Sequence, residues 1–94
     1  MLTEFEVRRR IDAIRASRMS PIRKAKMLLR LNKSLNRQVK SLLQARAQIS
    51  QTSDLNAAAG LTRMTTTTQQ LLTDVQEAAY EAISVVPRGT LTLT

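Results

Sequence analysis

Leu28, Leu35, Leu42 and Ile49 recur every seven residues within a stretch, from Ile22 to Ala59, that contains neither glycine nor proline. No other feature of the sequence restricts the fold as strongly. Seven residues make about two helical turns, so these four side chains share one side of a rod. Ile22, Ala25, Leu29, Leu31, Val39 and Leu43 flank them and widen the apolar arc. The spacing predicts a helix over 21–50 with a seam of the coiled-coil type. Its start is marked by Ser20-Pro21, because serine suits an N-cap and proline the first helical position, where its missing N–H is not needed.

Two further helices follow from the same kind of signal. Thr3 and Glu6 have the spacing of a capping box, with Leu2 and Val7 placed as a hydrophobic staple. Val7, Ile11 and Ile14 then form one apolar stripe, which predicts a helix over about 3–18. After the turn-forming Gln51-Thr52-Ser53-Asp54, an apolar series resumes at Leu61, Met64, Thr68, Leu71, Val75, Ala78, Ala82 and Val85. It predicts a third helix over about 54–86, capped by Ser53 or Asp54. Thr65–Thr68 oppose it by about 0.5 kcal/mol per residue relative to alanine, and Gly60 by about 1 kcal/mol. The repeat keeps its phase through the threonines, which favours one continuous helix over a break between Gly60 and Thr68. Pro87-Arg88-Gly89 ends it, and the tail 87–94 suits an edge strand or no ordered structure.

The expected fold class is therefore all-α, a single helical domain over residues 1–86. A long antiparallel helical hairpin carries a shorter N-terminal helix, as a three-helix bundle or a dimeric bundle with a four-helix core. The apolar arc of the second helix looks too wide for one partner helix. On that ground Leu28, Asn32, Leu35, Val39, Leu42 and Ile49 are expected to face a second copy of the chain. Asn32 and Arg46 interrupt the apolar side, and a polar residue in a seam either fixes register and partner number or reaches water from its edge.

Charge is distributed unevenly. Residues 1–50 hold 13 Lys/Arg against three acids, a balance of +10, whereas residues 51–94 carry a balance of −2. No acid occurs among the 41 residues between Asp12 and Asp54. At about 100° per residue, Lys26, Arg30, Lys33, Arg37 and Lys40 project opposite Leu28, with Arg23 nearby. This ridge is the candidate anion-binding site, and Arg8, Arg9 and Arg10 are placed to extend its field. Cations on a rigid helix release counterions from a phosphate backbone, so nucleic acid is the first expected partner and an acidic protein surface the second. The rival expectation is an adaptor or assembly subunit in which the helical seam is itself the functional surface.

Catalysis is not expected. The sequence has no cysteine, histidine or tryptophan and only Phe5 and Tyr80 as aromatics. That removes thiolate and imidazole chemistry, the usual zinc ligands, and the stacking platforms that single-stranded nucleic acids require. Asp74, Glu77 and Glu81 share a side of the third helix, but no second half of an acid–base or metal site accompanies them. They are expected to be solvated or to meet the basic ridge. No metal, cofactor or small-molecule substrate is implied. Apolar runs of three or four residues are far short of a membrane span, and the plain expectation is a soluble cytoplasmic protein.

Overall fold

The computed structural model describes residues 1–49 and 54–86, and these form an all-α protein. Its helices are α1 (Glu4–Ala16), α2 (Pro21–Ile49) and α3 (Leu55–Ser84). Each begins at the side chain that the sequence offers as its cap. Thr3 Oγ1 accepts from the Glu6 N–H at 3.2 Å, Ser20 Oγ from the Arg23 N–H at 3.3 Å, and Asp54 Oδ1 from the Ala57 N–H at 3.1 Å. Such a bond satisfies one of the amide donors that a helix start leaves open, and is worth about 1 kcal/mol.

α3 runs unbroken through Gly60 and the four threonines. Thr65 and Thr68 are buried, and their hydroxyls donate to the carbonyls of Leu61 and Met64, each at 2.8 Å. Bonding four residues back satisfies the hydroxyl inside the helix, and packing of the branched side chains offsets their poor helix propensity. The expected tail strand falls at 87–94, outside the described residues.

α2 and α3 pack antiparallel and α1 lies along one side of them. Arg8 meets Asp74 and Arg15 meets Glu81, so α1 runs parallel to α3. Leu2 meets Gln38 and Arg15 meets Lys24, so it runs antiparallel to α2. The core gathers Val7, Ile11 and Ile14 from α1, Leu28, Leu31 and Leu35 from α2, and Leu71, Val75, Ala78 and Ala79 from α3. The two alanines let α3 approach its neighbours closely. Thirteen residues make α1 only about 20 Å long against about 44 Å for α2. The far end of the hairpin is therefore two helices thick, and the molecule measures 54 × 24 × 15 Å.

This packing bears on the residues expected to face a second copy. Leu28, Leu35 and Leu42 are only 1%, 0% and 5% exposed within one chain, so they have almost nothing left to bury against a second copy. They are intramolecular core, each contributing roughly 1.5–3 kcal/mol by burial. Leu28 and Leu35 lie in the cluster that α1, α2 and α3 share, and Leu42 is buried beyond it. Asn32, Val39 and Ile49 remain partly exposed. Asn32 Oδ1 accepts from Gln76 Nε2 at 3.3 Å, a bond made within the chain rather than to a copy. Arg46 is exposed.

Candidate functional site

α2 places the ridge by its straightness and by what lies on its other side. With Leu28, Leu31 and Leu35 fixed in the core, the helical twist directs Arg23, Lys26, Arg30, Lys33, Arg37 and Lys40 outward, and all six are exposed. From Arg23 to Lys40 the ridge extends over about 25 Å at 1.5 Å per residue. Among the described residues none of the six has a carboxylate within 4.0 Å, since the ion pairs there join Arg8 to Glu4 and Asp74, and Arg15 to Glu81.

Asp74 and Glu81 of α3 are thus met by α1. Arg8 Nη1 donates to Asp74 Oδ2 at 2.9 Å, and Arg15 Nη2 lies 3.2 Å from Glu81 Oε2. Arg8, Asp12, Arg15, Asp74 and Glu77 all border the furrow between α1 and α3. Opposite charges meet there at the surface, a mixture worth about 0–1 kcal/mol per pair. Of the arginines expected to extend the ridge, Arg8 is therefore committed elsewhere.

Arg10 behaves differently. It borders a furrow between α1 and α2 together with Ala13, Ile14, Met27, Arg30, Leu31 and Ser34, a space of about 410 Å³. The adjoining part of that furrow, about 600 Å³, brings Arg10 beside Ser34, Arg37, Gln38 and Ser41, with Glu6 also on its rim. Arg10 and Ser34 belong to both parts. Only Arg9 separates Arg8 from Arg10 on α1, yet the two border furrows of opposite character.

Side-chain hydrogen bonds tie both ends of α1 to α2. Gln38 accepts from the Leu2 N–H at 2.9 Å, and its amide donates to Leu2 O at 3.0 Å and to Thr68 Oγ1 at 3.2 Å. At the other end Lys24 Nζ donates to Arg15 O at 3.0 Å, which also satisfies a carbonyl that the helix end leaves unpaired. Sequence reasoning missed the Gln38 clasp. Its signal was a lone amide at the edge of the apolar arc, a position that amounts to a guess without knowledge of which backbone approaches it.

The ridge is also ordered by residue type. Arg23, Arg30 and Arg37 repeat every seven residues, and Lys26, Lys33 and Lys40 do the same. The two rows lie about 60° apart around α2 at 100° per residue. Arg30 and Arg37 border the furrow with α1, while the lysine row faces away from it.

Among the described residues no group of three or more potential ligands is placed to hold a metal ion, and no helix is long and apolar enough to cross a membrane. No protein-family model, curated protein or solved structure matches this chain, so the functional reading rests on the geometry alone.

Proposed function

We propose that this protein is a non-enzymatic binder of nucleic acid that holds the phosphate backbone with Arg23, Lys26, Arg30, Lys33, Arg37 and Lys40. One observation carries the reading: six exposed cations stand in line on one helix with no ion pair among the described residues, while Asp74 and Glu81 are engaged by α1. A solvated helix face ordinarily mixes signs, and this one does not. With Phe5 and Tyr80 both exposed on different helices, no stacking platform for single strands is built, so a duplex or folded RNA suits the ridge better.

Titration of the purified chain with duplex DNA and duplex RNA at 50–300 mM salt tests the reading. Five phosphate contacts predict a log–log slope of about −4.5. Absence of binding at low salt, or binding that ignores salt, would refute it.

A second reading has an observation of its own. Leu29 and Leu43 are 43% and 49% exposed on α2, outside the core. They suit an adaptor, or a chain that pairs with its own copies, in which apolar contact supplies affinity and the ridge selects an acidic partner. Charge reversal at Lys33 and Arg37 separates the two, because on this reading it abolishes a protein complex rather than a nucleic-acid one.

A further inference from the structure

We infer that the two rows of the ridge do different work: Arg30 and Arg37 of the arginine row form, with Arg10, a phosphate-seating furrow between α1 and α2, while the lysine row supplies only the surrounding field. The inference rests on the nucleic-acid reading and sharpens it, naming where a backbone phosphate sits and which residues grip it.

Three observations support the division. Arg10, from α1, and Arg30 and Arg37, from α2, border two neighbouring hollows between these helices that share Arg10 and Ser34. A furrow between two helices lets donors converge on an anion from both sides, which a single convex helix face cannot do. The side chains have the right chemistry as well. A guanidinium presents a planar fork of donors that matches two phosphate oxygens, and the Ser34 hydroxyl adds a donor between Arg30 and Arg37. Finally, Gln38, on the rim of the furrow, ties the start of α1 to α2 through both backbone polar groups of Leu2, so the two walls are joined beside Arg10 and Arg37. Glu6, on the outer rim of the same furrow, opposes an anion there and biases the seat toward Arg10, Ser34 and Arg30.

Lysine keeps the charge of arginine but loses the fork, so charge-conserving exchange separates seating from field. The test compares the intact chain, an R10K/R30K/R37K variant and a K26R/K33R/K40R variant by fluorescence anisotropy on a 20-bp DNA duplex, the same duplex as RNA, and polyglutamate. All six positions are exposed, and unchanged helical circular dichroism verifies the fold. The inference predicts about tenfold weaker duplex binding for the Arg→Lys variant, with the salt slope unchanged because the charge count is unchanged. The Lys→Arg variant should stay within about twofold of the parent. Equal affinities for parent and Arg→Lys variant would overturn the furrow while leaving the ridge as a nucleic-acid binder. Binding of polyglutamate but of neither duplex would remove the underlying reading, and the furrow with it. A loss shared by DNA and RNA is the expected pattern for a phosphate seat, and a loss on one duplex only would assign the furrow to base or sugar contacts instead.

Discussion

The two edges of α1 present the same helix to two neighbours and obtain opposite results. Toward α3, Arg8 and Arg15 find Asp74 and Glu81, and the furrow between the helices is electrically mixed and self-satisfied. Toward α2, Arg10 shares the furrow with Arg30 and Arg37, and among the described residues that line it Glu6 is the one acid. Pairing like charges across a packed helix–helix boundary costs stability unless solvent or a partner screens it. The cause lies in the partner helices, since α3 carries Asp74, Glu77 and Glu81 whereas α2 carries no acid. The unmatched edge is therefore where an external anion gains most.

Both edges depend on the core beneath them, and the largest expected effect comes from there. Leu35 is fully buried among the three helices, so Leu35→Ala should lower unfolding free energy in urea by about 2–5 kcal/mol. A loss under about 1 kcal/mol would mean that α1 is not held against the hairpin, and the contrast between its edges would dissolve.

Charge reversal addresses the unmatched edge directly. Arg30→Glu with Arg37→Glu should weaken duplex binding by about a hundredfold near 0.1 M salt and flatten the salt slope by about two, while leaving the thermal midpoint within a few degrees. Binding unchanged by this pair would place the anion elsewhere on the molecule.

Gly60→Ala sharpens the comparison by touching neither edge. An added Cβ meets nothing within 4 Å, so the variant should be more stable by about 1 kcal/mol in chemical denaturation, with duplex affinity unaltered. The smallest effect belongs to the matched edge. Asp74→Asn removes an exposed pair and should cost under about 1 kcal/mol. It also frees Arg8, so duplex affinity should hold or rise slightly, and a fall would show that the two edges are not independent.

Much of the fold was legible before any coordinates. The heptad leucines announced α2, and Thr3, Ser20 and the pair Ser53-Asp54, of which Asp54 is the cap, marked the helix starts because capping is a local transaction between a side chain and an amide three residues away. The persistence of α3 through Thr65–Thr68 was readable from phase alone, although its cause, burial with hydroxyls bonded four residues back, was not. The six ridge cations were legible for the same reason as the leucines, being the other side of one helical wheel.

What escaped the sequence was everything that depends on which edge of a helix meets which neighbour. Leu28, Leu35 and Leu42 looked like material for a second copy because a wheel counts apolar residues without counting the helices that cover them. Arg8 and Arg10 looked equivalent in an Arg8-Arg9-Arg10 run, and only the placement of α1 between α2 and α3 sends one to Asp74 and the other to Arg30. The Gln38 clasp depends on the approach of Leu2 across 36 residues, a long-range contact with no local signature.

The most direct test of the unmatched edge is nuclear magnetic resonance of the isotopically labelled chain during titration with a short duplex at low salt. The account predicts amide shifts that concentrate at Arg10, Arg30, Ser34 and Arg37 and spread along the outer side of α2, with Asp74 and Glu77 on α3 unmoved. Shifts centred on the α1–α3 furrow, or none at saturating duplex, would contradict it.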